Sequence, residues 1–244
     1  MNKNKRPLAL VTGSAHRLGF LFARTLAEQG YAILLHYNHS LDDAETAAVK
    51  LRLLDVPVFL AQADLTDTNA ISGLLRVVDT LSHPLRVLVN SAATMQSSDA
   101  QTVSSADWDV TMNLNLRAPF LLAQGAYKRM KKSDGGLIVN ITDIAAQKAW
   151  SKFPDYSVSK AGLESLTKIL ARSFAPDVRV NAIAPGLVLP ADDFPAEEWE
   201  RLIKRLPIPR PANGAEIVSA LEFLLKNEYI TGQTITVDGG YSLL

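Results

Sequence analysis

Tyr156-Ser157-Val158-Ser159-Lys160 carries a phenol and an ammonium four residues apart, a spacing that sets both side chains on one face of a helix. An ordinary tyrosine hydroxyl has a pKa of about 10, so near neutral pH it exchanges a proton readily only beside a cation. The pair therefore predicts a proton donor, Tyr156, tuned by Lys160. Two exposed helix residues would show the same spacing, so the surrounding elements decide between the readings.

A second cluster, Thr12-Gly13-Ser14-Ala15-His16-Arg17-Leu18-Gly19, lies between an apolar run and an amphipathic stretch. Backbone N–H groups left free at a helix start, with the positive end of its dipole, favour a pyrophosphate. Gly13, His16, Arg17, Leu18 and Gly19 are thus candidates to cradle a dinucleotide. Arg17 stands where many such loops carry a third glycine. The next strand ends Leu35-His36-Tyr37-Asn38-His39-Ser40, with no acidic side chain to accept from an unphosphorylated ribose. This selects NADPH over NADH. Arg17, His36 and Ser40 are expected on the 2′-phosphate, with Tyr37 and Asn38 beside them, and Arg17 acts chiefly through a charge-assisted contact.

Hydrophobic periodicity supplies the elements that must hold these groups. Leu8 to Thr12, Ala32 to Tyr37, Val56 to Ala61, Val87 to Asn90, Leu137 to Ile141, Val178 to Ile183 and Thr234 to Val237 read as buried parallel strands. Leu18 to Gln29, Asp42 to Leu54, Asn69 to Ser82, Leu114 to Met130, Ser157 to Phe174 and Ala215 to Leu225 have helical spacing. The alternation predicts one domain over 1–244, an α/β, Rossmann-like doubly wound parallel sheet of seven strands with helices on both faces and ligands at the strand carboxyl ends. Pro185 to Pro211 carries six prolines and reads as a mobile substrate flap, about 186–211, after the sixth strand.

Bulk properties exclude other classes. With 244 residues, 48% hydrophobic and 20% charged, the chain can bury a large core. Lys plus Arg balances Asp plus Glu at 25 each, which gives no field for nucleic acid or an anionic membrane. The absence of cysteine excludes disulfides and thiolate metal sites and fits a reducing cytoplasm. His16, His36, His39 and His83 form no HExxH pair, so no metal is expected. The start, Met-Asn-Lys-Asn-Lys-Arg-Pro, is basic, but the apolar stretch after it breaks at Thr12-Gly13, too soon for a signal peptide or a span. A soluble, cytoplasmic protein is expected.

With Thr12-Gly13, Ala63-Asp64-Leu65, Asn90-Ser91-Ala92, Asn115, the Tyr156 and Lys160 pair, Pro185-Gly186 and Val237-Asp238-Gly239-Gly240 in this order, the chain resembles the short-chain dehydrogenase/reductase family over essentially its whole length. The resemblance implies the sheet order 3-2-1-4-5-6-7. It implies that Asp64 and Leu65 contact adenine, and that Asn90, Ser91, Ala92, Pro185, Gly186 and Leu187 flank the nicotinamide. By the same resemblance Asn115 holds a water that links Lys160 to solvent, so that Tyr156 is reprotonated. It further implies a homotetramer built on the helices Leu114 to Met130 and Ser157 to Phe174, with the apolar tail Tyr241-Ser242-Leu243-Leu244 reaching a neighbour.

One position departs from the family pattern. Thirteen residues before Tyr156, where most members carry a serine for the substrate carbonyl, this chain has Asp143. Asp143, Arg17, the strand end Leu-His-Tyr, Asp192-Asp193 with Trp199, and the tail Val-Asp-Gly-Gly-Tyr-Ser-Leu together resemble the pteridine reductases and their dihydropteridine-reducing relatives. A ketone offers one oxygen acceptor, which suits a serine hydroxyl. A pterin presents ring nitrogens and an exocyclic amine, which suit a carboxyl. Burial against the cofactor would raise the pKa of Asp143 and let it share proton delivery with Tyr156. Aspartate also closes turns, so a capping role is the plainer alternative. Ala93 and Met95 replace the serine and aromatic usual in pteridine reductases. The Met95 thioether is expected to cover the pterin, with a contact worth about 0.3–1.5 kcal/mol. Trp150, Phe153 and Trp199 either join it or pack their own loops.

The expected activity is NADPH-dependent reduction of a dihydropteridine of the dihydrobiopterin, dihydromonapterin or dihydrofolate type, with Asp143, Tyr156, Lys160 and Asn115 catalytic and Met95, Asp143 and Tyr156 against the substrate. A carbonyl or 3-oxoacyl thioester reductase is the alternative, and Asp143 argues against it. A nucleotide-sensing binding protein is a third reading, for which Asn115, Tyr156 and Lys160 have no use.

Overall fold

The structure, a computed structural model, describes residues 6–148, 150–190 and 194–244. Seven strands, β1 (Leu8–Val11), β2 (Ala32–Tyr37), β3 (Val58–Gln62), β4 (Leu85–Asn90), β5 (Gly136–Ile141), β6 (Val178–Pro185) and β7 (Thr234–Val237), form one parallel sheet in the order β3-β2-β1-β4-β5-β6-β7. The expected doubly wound topology and strand order are both present.

The strands are mostly apolar because each face of the sheet meets helices. Ala9, Val11, Ile33 and Leu35 pack with α1 (Arg17–Glu28), α2 (Leu41–Arg52) and α8 (Gly214–Lys226). The alternate residues Leu8, Leu10, Ala32 and Leu34 pack on the other face with α3 (Thr68–Thr80), α5 (Ala118–Met130) and α6 (Pro154–Phe174). Burying each large aliphatic side chain contributes about 1.5–3 kcal/mol, and the crossovers leave every loop after a strand at one edge of the sheet.

Three stretches differ from the sequence reading. The helix expected from Leu114 begins earlier, as α4 (Ser105–Met112), and continues through a π-helical turn (Asn113–Arg117) into α5. Ser104 starts it, accepting from the Asp107 N–H at 3.1 Å, a cap whose downstream residues lack a buried stripe and so escape periodicity. Helix α6 begins three residues before the expected Ser157, with Pro154 in its first turn. The 186–211 flap contains a helix, α7 (Ala196–Arg205), and is fastened at its far end by Ile208 N–H to Gly239 O (3.0 Å) and Ala212 N–H to Leu187 O (2.8 Å). Asp192 and Asp193 lie outside the described residues.

Candidate active site

A cleft of about 880 Å³ runs across the carboxyl ends of the strands. Most of the expected site residues line it: Gly13, His16, Arg17, Leu18 and Gly19; His36, Tyr37, Asn38 and Ser40; Asp64 and Leu65; Ser91 and Ala92; Asp143, Tyr156 and Lys160; Pro185 and Gly186. Asn90, Met95, Asn115 and Leu187 do not form part of its wall.

The first loop is built for a close approach. Gly13 has φ +62°, and a Cβ there would lie 2.9 Å from Ala92 Cα, while one on Gly19 would lie 2.1 Å from Gly13 O. Thr12 Oγ1 joins the same two loops by accepting from the N–H groups of Ser91 (2.9 Å) and Ala92 (3.0 Å). Helix α1 then opens without a side-chain cap or an acidic residue in its first turn, so its leading N–H groups are left for an anion. Glycines where a Cβ would clash, followed by an uncapped helix start, fit a dinucleotide.

Among the contacts expected for the 2′-phosphate, that of His36 is corrected, and Arg17 has partners within the protein as well. The Arg17 guanidinium donates to Leu189 O at 2.9 Å and Pro190 O at 3.1 Å, so it bridges the first loop to the flap. Its backbone, at φ +52°, holds the left-handed form natural to the glycine it replaces. His36 is 2% exposed, and both ring nitrogens are occupied: Gly13 N–H donates to Nδ1 at 3.1 Å and Nε2–H donates to Ala63 O at 2.9 Å. A ring with no free donor cannot serve a phosphate. Burial pushes its pKa down to about 4. Ser40 precedes α2 without capping it by its side chain, so its hydroxyl stays available beside the cleft.

At the other end, α6 is fastened to the end of β5 by the two residues that share its face. Lys160 Nζ donates to Ile141 O at 2.8 Å, and Tyr156 OH donates to Asp143 Oδ2 at 3.0 Å. The second oxygen of Asp143 accepts from Ala145 N–H at 2.7 Å and caps a short 3-10 turn, Ile144–Ala146. Asp143 therefore does both things its sequence context allowed, one with each oxygen. Burial raises its pKa, against the pull of the Ala145 N–H, the Lys160 charge and the Tyr156 hydrogen bond. The Tyr156 phenol is held well above its ordinary 10, first by burial and then by the charge and hydrogen bond of Asp143. Burial lowers Lys160 to about 8, with Asp143 pulling it back up. Lys160 Nζ lies 5.5 Å from the Tyr156 ring centroid, while the Asp143 carboxyl is hydrogen-bonded to the phenol and raises it.

The Asn115 side chain is committed to partners within the protein. It grips Thr94 at both N–H (2.9 Å) and C=O (2.9 Å) and donates to Ser159 Oγ (3.1 Å), which in turn donates to Tyr156 O (2.7 Å). Both of its N–H donors are thereby consumed. The grip turns Ala93, Thr94 and Gln96 into the wall, whereas Met95 is 46% exposed and lies outside it. Asn90 is buried beneath the wall, where its Nδ2 donates to Asn140 Oδ1 across the strand pair at 2.8 Å. Leu187 gives its place to Val188 and Leu189. Trp150 packs against Phe153 and against Tyr241 of the C-terminal tail, Trp199 packs against Phe194, and none of these aromatics lines the cleft. Among the described residues no group of His, Cys, Asp or Glu could hold a metal, and no helix is long and apolar enough to cross a membrane.

The family model described as enoyl-(acyl carrier protein) reductase matches residues 13–242. The chain belongs to the short-chain dehydrogenase/reductase family. It is 31% identical to the 3-oxoacyl-(acyl-carrier-protein) reductase FabG of Staphylococcus aureus over 237 residues, covering 95% of this chain and 96% of that one. It superimposes with a TM-score of 0.92 at 34% identity on FolM alternative dihydrofolate reductase 1 from Brucella canis, solved with NADP, over 98% of this chain and 94% of that one. Acetoin dehydrogenase YohF from Salmonella typhimurium gives 0.87 at 29% identity, over 98% and 96%.

Several residues that hold this short-chain dehydrogenase/reductase site together carried no signal of their own in the sequence. Ser159 and Thr94 act through Asn115, and their partners lie 44 and 21 residues away along the chain. Asp155, buried beside Tyr156, accepts from Thr111 Oγ1 at 2.6 Å and Ser98 Oγ at 3.3 Å, tying the loop that carries Met95 to α4 and α6.

Proposed function

We propose that this short-chain dehydrogenase/reductase is an NADPH-dependent pteridine reductase that reduces dihydropteridines. The observation that carries the reading is the 3.0 Å contact between Asp143 Oδ2 and the Tyr156 hydroxyl at the cleft wall. NADP(H) is the cofactor, held by the Gly13 to Gly19 loop, Ser40, Asp64, Leu65, Ser91, Ala92 and Gly186. When bound it supplies the hydride.

The chain's own residues hold and move the proton. The Tyr156 phenol, held well above its ordinary range, keeps its proton near neutral pH and shares it with the Asp143 carboxyl, itself raised by burial, so the two present one transferable proton to a ring nitrogen. Lys160 supplies the compensating charge from behind, anchored on Ile141 O. A carboxyl accepts from an N–H edge as readily as it donates, which matches an amino-pyrimidine better than a ketone. Asn115 positions Tyr156 through Ser159 and shapes the wall through Thr94.

The likeness to FabG favours a second reading, reduction of a 3-oxoacyl thioester. Initial rates of NADPH oxidation with a 7,8-dihydropteridine and with an acetoacetyl thioester separate the two. A preference for the dihydropteridine is expected, and a preference for the thioester overturns the proposal. A homotetramer formed through α5 and α6 is also proposed, supported by the exposed apolar side chains Phe120, Val158 and Ile169 on those helices. A monomeric sedimentation profile contradicts it.

A further inference from the structure

His36 stands at the end of β2 between two neighbouring loops, and it grips the first of them twice. Its Nδ1 accepts from Gly13 N–H at 3.1 Å, and its own backbone carbonyl accepts from Ser14 N–H at 3.0 Å. Its Nε2–H reaches the opposite way, to Ala63 O at 2.9 Å, one residue before Asp64. Gly13 has no side chain with which to hold its own peptide and stands at φ +62°, where an unrestrained glycine would sample many conformers. Two consecutive peptides of the first loop are thus held by one residue, and the ring makes the loop after β1 and the loop after β3 a single unit.

We propose that His36 is a positioning residue for the dinucleotide, acting through its neutral Nδ1 on the Gly13 peptide. Ala63 O is only an acceptor and Gly13 N–H only a donor, so the ring must be the Nε2–H tautomer with Nδ1 bare. A proton on Nδ1 would set donor against donor at Gly13. With the Gly13 peptide fixed, the N–H groups of the following helix start meet the pyrophosphate without first being ordered, and binding is strengthened by the ordering cost it avoids. The preference for a neutral ring agrees with its depressed pKa. The inference rests on the NADP(H) reading and is independent of the substrate.

The test uses side chains that keep one half of the ring's bonding. An asparagine amide oxygen overlays Nδ1 and retains the acceptor for Gly13, whereas a glutamine amide nitrogen overlays Nε2 and retains the donor to Ala63. NADPH dissociation constants are measured by fluorescence titration for wild type, His36→Asn, His36→Gln and His36→Leu, with the melting temperature of each cofactor-free protein alongside. His36→Asn is expected within about twofold of wild type and His36→Gln about tenfold or more weaker, even though both lose stability. Equal weakening in His36→Asn and His36→Gln, or weakening that follows melting temperature alone, overturns the proposal. The comparison stands whether or not His36→Leu folds. Wild-type protein that does not bind NADPH at all overturns the cofactor reading, and this inference with it.

Discussion

The two ends of the cleft are held by different kinds of bond. At the adenosine end the backbone is fixed by close approach and by neutral groups: glycines at positions 13 and 19, the Thr12 hydroxyl on two N–H groups, and the His36 ring between Gly13 and Ala63. At the catalytic end three ionisable side chains, Asp143, Tyr156 and Lys160, are partly or wholly buried within reach of one another. The first end has few ways to vary, because a Cβ or a charge there breaks the geometry. The second can change its chemistry with one side chain, because Asp143 alone among the described residues hydrogen-bonds the Tyr156 hydroxyl. Cofactor choice and substrate choice are therefore separable here.

Substitutions can break that separation if it is wrong. The largest effect is expected for Tyr156→Phe, which should lower kcat by about 10²–10⁴-fold while leaving NADPH affinity within about twofold. A matching loss of NADPH binding would merge the two ends. Gly19→Ala should do the reverse, weakening NADPH by about tenfold or more because its Cβ would sit 2.1 Å from Gly13 O, with little change in kcat at saturating cofactor.

Acid stability sharpens the comparison further. The His36 pKa falls from 6.5 to about 4 on folding, so the folded state favours the neutral ring. Its contribution is fully present above pH 6.5 and is lost as pH drops toward 4, by up to about 3 kcal/mol. Chemical denaturation of wild type and His36→Asn between pH 7 and 4 should show a steeper decline in wild type. Parallel curves would remove His36 from the acid response. The smallest effect belongs to Met95→Ala, expected to change kcat/KM by less than about twofold because Met95 is 46% exposed and outside the wall; a tenfold loss would restore the stacking role.

The adenosine end and the sheet were the more legible in the amino-acid sequence. Their signals are local: apolar runs of strand length, a glycine loop between a strand and a helix, and a strand end without an acid. Tyr156 and Lys160 were legible for the same reason, as one helical spacing. His36 was placed in the cleft wall but given the wrong partner, because its ring bonds run to Gly13 and Ala63, 23 and 27 residues away. Met95 was misread because its position depends on the grip of Asn115 on Thr94, a contact between distant segments. Helix α4 buries almost no side chain, so it lacks the stripe that periodicity detects, whereas α7 has such a stripe, Trp199, Leu202 and Ile203, but sits among the prolines that read as a flap.

The central claim, that a carboxyl at position 143 working with Tyr156 selects a dihydropteridine, is tested most directly by exchanging that carboxyl for the usual family hydroxyl. The kcat/KM for a 7,8-dihydropteridine and for an acetoacetyl thioester would be measured with NADPH in wild type and Asp143→Ser. The account predicts that Asp143→Ser loses about 10²-fold on the dihydropteridine and keeps or gains activity on the thioester, so that the preference narrows or inverts. Full dihydropteridine activity in Asp143→Ser would contradict it.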